Sequence, residues 1–495
     1  MPTLAKDAEA LERRGQRGRW RALAVTLLVG YMGLLDLTIV NVAVPSIQSG
    51  LGASAQAVQW IVSGYALTFG LTLVAGGRIG DVVGRRRMFL VGLAAFTLTS
   101  AAAGAAPTVG LVVAARLLQG AAAGLLTPQN SGLIQQLFSG AERARAFGIF
   151  GTTVGLSAAS GPLLGGAILA GFGQQDGWRY VFFVNVPIGL LAMVLAARWL
   201  PSPEPREHGL RSQLDLVGAA LLGAAVLCVL LPLVDAMGEP ATWLWALVLL
   251  APAAIAAFAW WERRLARRGR PPLLDVRLFR EAPGYASGIV LGTVYFCGFS
   301  GIWLVLALYL QDGLGFTPWQ SGLAVTPFAV GSAATSVLAG RLVERWGRWV
   351  TVVGLVLVCV GFTAVAVVVP AAAGTRPALV VLLPLLVAGL GSGAVISPNI
   401  TMTLASVPPQ MGGAAGGALQ TGQRIGSAVG AAVLAAAYRI GVSGGHGPDV
   451  SLAVAFGCAL AFSLVALALA VRELRLRKAC EPGPECEEQA GVAGG

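Results

Sequence analysis

"GGRIGDVVGRRR" (76–87) and "AGRLVERWGRWV" (339–350) carry one pattern twice: Gly-Arg-aliphatic, an acid, then Gly-Arg. Each copy joins two apolar runs long enough to cross a bilayer, and each is followed by a second shared stretch. "AGLLTPQ" (123–129) and "GAVISPN" (393–399) both read small-small-aliphatic-aliphatic-hydroxyl-Pro-amide. The same features in the same order in both halves of a 495-residue chain imply a duplicated helical bundle.

The surroundings of these stretches set the class. The chain is 56% hydrophobic and only 12% charged, about half the charge of a soluble domain. Apolar runs of roughly 18–25 residues read as membrane helices, and fourteen qualify, from 22–45 to 451–471. The longest hydrophilic interruption, about 262–285, is too short for a folded catalytic domain.

The net charge of +11 is explained by topology rather than by nucleic acid. Thirty of the 34 Lys and Arg precede the first span or fall in even-to-odd connections and the tail, with Arg424 counted at the start of span thirteen. The opposite side has three, Arg179, Arg376 and Arg439. This is a positive-inside pattern that predicts both termini in the cytoplasm. The first apolar run is too long for a signal peptide and lacks a cleavage site, so it is expected to stay as a span. The acidic Pro/Gly tail is expected to be disordered. No metal site is expected: Cys480 and Cys486 in that tail have no histidine neighbour.

The first copy follows span two and the second follows span ten, so two additional spans must sit between two six-span halves. The expected organisation is an N-terminal segment 1–21, a six-helix bundle 22–200, a linker with two extra helices 201–285, a second bundle 286–471 and a tail 472–495.

The glycine, aspartate and arginine loop at 76–87 resembles the signature loop of the major facilitator superfamily. "LLDLTIVNVAVPSI" (34–47), "RLLQGAAAGLLTPQ" (116–129) and "GLSAASGPLLGGAI" (155–168) are similar to the first-, fourth- and fifth-span motifs of its fourteen-span drug:proton antiporters. The resemblance implies two bundles related by an axis along the membrane normal. It implies an exporter of hydrophobic antimicrobials, dyes or a self-made antibiotic across the bacterial inner membrane. Such a carrier is driven by the proton gradient without a cofactor and works as a monomer. An exporter of one metabolite or siderophore is the alternative.

Asp36 lies mid-span among apolar residues. An ionised carboxylate there costs at least a few kcal/mol unless paired or hydrated, which makes it a candidate for binding and releasing a proton. A fixed structural pair with Arg116, the other deep charge of the first half, is the competing reading. The resemblance implicates that fourth-span arginine in proton coupling. Gly77, Asp81, Gly84, Arg85, Arg86 and Arg87, with Gly340, Glu344, Gly347 and Arg348 of the second copy, form a candidate conformational latch. Asp81 is expected to pair with arginines or cap span three. Simple topology anchoring is the alternative for the arginines. Val82 stands where the family usually has an arginine, which removes one ion pair.

Gly155, Gly161, Pro162, Gly165 and Gly166 form the antiporter-motif helix. The resemblance implies that it seals against leak, and close helix packing is the plainer account. Asn41 and Gln119 are candidate cargo contacts. Trp60, Tyr65 and Trp303 could wall a flat or cationic drug or face lipid. Few deep acids argue for neutral, zwitterionic or monocationic cargo. No G-x-x-x-x-G-K-[ST] loop is present to bind nucleotide. The two histidines, His208 and His446, lie in loops, so no catalytic cluster is visible and the chain is not expected to be an enzyme.

Overall fold

A computed structural model describes residues 2–173, 175–201, 215–235, 242–372 and 377–479. All regular structure among them is helical. In chain order the helices are α1 (Pro2–Leu51), α2 (Ala55–Val83), α3 (Arg85–Ala105), α4 (Val109–Leu137), α5 (Gly140–Phe172), α6 (Gly177–Phe183) and α7 (Asn185–Trp199). Then come α8 (Leu216–Asp235), α9 (Ala246–Arg267), α10 (Leu278–Glu281), α11 (Tyr285–Ala307) and α12 (Pro318–Trp346). The last are α13 (Arg348–Ala371), α14 (Pro377–Val380), α15 (Leu382–Leu404), α16 (Gly412–Ser443) and α17 (Pro448–Ala479).

Thirteen segments of the described residues are long and apolar enough to cross a membrane, with α6 and α7 counted as one. The 33-residue α5 is a further long helix. Leu98 and Leu249 stand 70% and 80% exposed on such segments, as expected of side chains that face lipid. The chain is a multi-pass membrane protein. The tail 480–495, with Cys480 and Cys486, lies outside the described residues, as do 202–214 of the linker.

The two copies of the opening pattern fold alike. Gly84 joins α2 directly to α3 at φ 107°, and Gly347 joins α12 to α13 at φ 53°. Both values lie where a side chain is strained, so the pattern needs glycine there. The second shared stretches also match: Pro128 lies inside α4 and Pro398 inside α15. In each half the helix that enters the turn packs on the helix that carries the proline, α2 on α4 and α12 on α15.

The halves of the chain meet through α5 against α12 and α15, and through α2 against α16. Helices α8 and α9 pack on each other, and α8 lies against both α2 and α16. At the entry to this pair, Asp215 accepts from Gly218 N at 2.9 Å and from Trp261 Nε1 at 2.9–3.0 Å. The fully buried Glu262 converges with it on the Cα of Gly218.

Candidate functional site

Asp36 is fully buried in α1, and every oxygen of its carboxylate meets a donor. Arg116 Nη1 donates to Oδ2 at 2.6 Å. Oδ1 accepts from Gln119 Nε2 at 3.1 Å and from Asn185 Nδ2 at 2.9 Å. Arg116 is fixed in turn: Nε donates to Ile61 O at 3.0 Å, Nη1 to Gln119 Oε1 at 2.8 Å, and its Cζ sits 4.0 Å from the Tyr65 ring centre. Four helices thus meet at one ion pair, α1, α2, α4 and α7. A buried charge that has both a counter-ion and hydrogen bonds escapes most of the desolvation cost of a bare one.

Three expected placements need correction. Tyr65 is fully buried beneath Arg116 and does not join Trp60 and Trp303 in a wall. Trp60 packs toward Leu67 and the α8 residues Val226 and Leu230. Trp303 sits among Phe299 and Phe328, its ring centre 4.9 Å from that of Phe328. Each is taken up by its own neighbours: a guanidinium over Tyr65, α8 side chains beside Trp60 and phenylalanines around Trp303. Asn41 is exposed, and Gln119 is fully buried as a ligand of the ion pair.

The second site lies at the end of the bundle that carries the Gly84 turn, called here the basic end. Asp81 pairs with Arg85, Nη2 at 2.9 Å and Nε at 3.2 Å from Oδ1. It does not cap span three. Its carboxylate instead accepts from the backbone N–H of Gly413 at 3.1 Å and of Ala414 at 2.9 Å, the first turn of α16 in the other half. Unpaired N–H groups at a helix start attract an anion, and Asp81 reaches them across the interface. Arg85 also donates to the carbonyls of Gly132 and Pro409. The absent side chain of Gly77 lets α2 touch the backbone of Gly413. Arg86 donates to Ala197 O, while Arg87 is exposed.

The second copy is not equivalent. A Cβ on Gly340 would stand 2.8 Å from Ala144 O of α5, so this glycine also admits the opposite half. Glu344, however, is exposed on the surface. Arg348 is buried and bonds within its own half, to Glu473 at 2.7 Å and Asn399 Oδ1 at 2.9 Å. The acid of the second copy, one turn beyond Gly340, is left exposed, so among the described contacts the first copy alone bridges the halves through its acid.

Helix α5 divides its glycines by position. Gly148, Gly151 and Gly155 lie against α12 and α15, while Gly161 and Gly165 lie against α1. A Cβ on Gly161 would collide with the Thr38 hydroxyl, and one on Gly165 would stand 3.1 Å from Val42 Cβ. Gly166 is looser, 3.7 Å from Trp319. The side chain of Pro162 lies outside the described residues.

Asn185, Glu473 and the Asp215–Glu262 pair were not expected from the sequence. Asn185 in "FFVNVPIG" (182–189) is an amide inside an apolar run, the same signal that marked Asp36. Arg424 was placed at the start of its span. Helix α16 begins at Gly412, however, which sets Arg424 twelve residues in, near the middle of a 32-residue helix.

Two bundles with related internal turns, packed on each other and holding a buried ion pair, have the architecture of a membrane carrier built from two parallel repeats. The chain belongs to the Major Facilitator Superfamily, whose family model matches residues 26–431 and 288–489. It is 38% identical over 410 residues to a probable actinorhodin transporter of Streptomyces coelicolor, covering 82% of this chain and 70% of that one. It is 34% identical to the tetracenomycin C resistance and export protein of Streptomyces glaucescens, covering 83% and 74%. Among solved structures, the human organic anion transporter MFSD10 superposes with a TM-score of 0.67 at 17% identity, covering 91% and 99%. That likeness carries the fold alone.

Proposed function

We propose that this chain exports hydrophobic small molecules, antibiotics among them, across the bacterial inner membrane in exchange for protons. The relatives named for antibiotic export support the cargo class. The observation that carries the coupling is the buried Asp36–Arg116 pair, closed by Gln119 and Asn185.

In this reading fourteen spans run six, two, six, with 22–200 and 286–471 as the bundles and 201–285 as the linker. Both termini and the basic end are cytoplasmic, and the carrier works as a monomer. The closed latch then marks the outward-facing state. A proton arriving at Asp36 displaces one of its donors and loosens Arg116. Arg116 rests on Tyr65 of α2, and the same helix ends in Asp81, sixteen residues or about 24 Å further on. Protonation and the latch therefore act on one rigid element. Once α2 tilts, Asp81 leaves the start of α16 and the basic end opens to take cargo.

The test is uptake of a dye into inside-out vesicles, driven by an imposed proton gradient, with and without an uncoupler. Gradient-dependent uptake by the wild type that is lost in Asp36→Asn supports the reading. Equal uptake by both proteins overturns it.

A further inference from the structure

Arg424 is a second membrane-embedded cation, and its surroundings differ from those of Arg116. It projects from the middle of α16 toward α2, with its Cζ 4.8 Å from the Phe69 ring centre and its Cβ 4.0 Å from the point where a side chain on Gly70 would begin. No ion pair with a carboxylate is found for it among the described residues. Its Nε is buried and makes no hydrogen bond. A charged side chain at this depth is costly, and those that persist usually meet a counter-ion or line a pathway.

The neighbouring polar groups are also unsatisfied. The Tyr65 hydroxyl is fully buried and makes no hydrogen bond, and its ring centre lies 5.9 Å from that of Phe69, the ring against which Arg424 sits. Thr421, one turn before Arg424 and on the same face of α16, has a buried hydroxyl that likewise lacks a partner. Asp36 is already matched to Arg116, so the space between α2 and α16 retains one positive charge and several free O–H and N–H donors. That is the complement of an anionic oxygen.

Resting on the export reading, we infer that Arg424, Tyr65 and Thr421 form the subsite that receives a carboxylate or phenolate of the cargo, so that aromatic organic acids are its preferred class. This departs from the neutral, zwitterionic or monocationic cargo expected from the scarcity of deep acids. The deep charge that matters is basic, and it is offset from Asp36, so cargo and proton need not compete for one group.

The experiment compares three probes in inside-out vesicles under an imposed proton gradient: anthraquinone-2-carboxylate, its methyl ester and the cationic dye rhodamine 6G. The wild type should take up the carboxylate at least about tenfold faster than the ester at limiting concentration, the weight of one charge-assisted hydrogen bond. Arg424→Gln should remove that preference, bringing the carboxylate down to the rate of the ester in the same vesicles, and Arg424→Lys should keep most of it. Equal or faster uptake of the ester or the dye by the wild type would overturn the inference while leaving export intact. So would a uniform loss of all three probes in Arg424→Gln present in the vesicle membrane at the wild-type level. No gradient-driven uptake of any probe by the wild type would overturn the export reading and this inference with it. The wild-type comparison holds even where a variant fails to reach the membrane.

Discussion

The carboxylate of Asp81 accepts a hydrogen bond from the backbone N–H of Ala414 at 2.9 Å, although the two residues lie 333 positions apart. Together with the bond from Gly413 N, it fastens the end of α2 to the start of α16. Asp81→Asn keeps an acceptor oxygen but loses the charge and the pairing with Arg85. Hydrogen bonds to charged groups contribute about 1.5–3 kcal/mol each, so the ratio of closed to open basic ends should fall at least about tenfold. Spin labels at the exposed positions Arg87 and Gln410 report that opening as a distance distribution. A distribution identical to the wild type's would show that the contact does not latch.

Asp36→Asn should abolish gradient-driven export, and it should also weaken the fold. It leaves the buried Arg116 without its counter-charge, an error that costs about 3–5 kcal/mol. Adding Arg116→Gln should restore thermal stability without restoring coupling. Recovery of both in the double variant would reduce the pair to a structural one.

The glycines of α5 should rank by the room around them. Gly161→Ala forces a methyl group into Thr38, and overpacking of this kind costs about 1–3 kcal/mol. Gly165→Ala, at 3.1 Å from Val42, should be milder, and Gly166→Ala, at 3.7 Å from Trp319, close to neutral. Melting temperature and passive proton leak in vesicles read the order. An equal effect of all three would assign them to general helix propensity instead.

The two copies of the duplicated loop should respond differently to loss of charge. Glu344→Gln, on the exposed surface, should change stability by less than about 0.5 kcal/mol. Arg348→Gln removes the buried counter-ion that Glu473 meets at 2.7 Å and should cost about 3–5 kcal/mol. Thermal unfolding in detergent separates them, and similar costs would mean that Glu344 has a role the fold does not disclose.

Apolar run length and the repeated loop were enough to reveal a duplicated helical membrane fold, because a bilayer requires each crossing to satisfy its own backbone. The residue types of the ion pair were equally visible, since Asp36 and Arg116 interrupt apolar runs. Partners were harder to read. Nothing near Asp81 points to an amide in the other half, and the choice between α3 and α16 as the helix it caps depends on how the bundles dock. Asn185 escaped notice because a neutral amide in an apolar run draws less attention than a charge. Arg424 was counted with the basic connections although "GGAAGG" (412–417) already belongs to its span, and the missing side chains of that stretch let the helix run close to α2.

Helix α5 leans on its own half along one stretch and on the opposite half along another, and its bare backbone makes both contacts. Retuning the protein to a new compound therefore need not disturb its moving parts. A library of variants confined to Phe69 and Thr421, which belong to neither the ion pair nor the latch, should yield many working pumps with shifted diets. One confined to α5 should yield almost none.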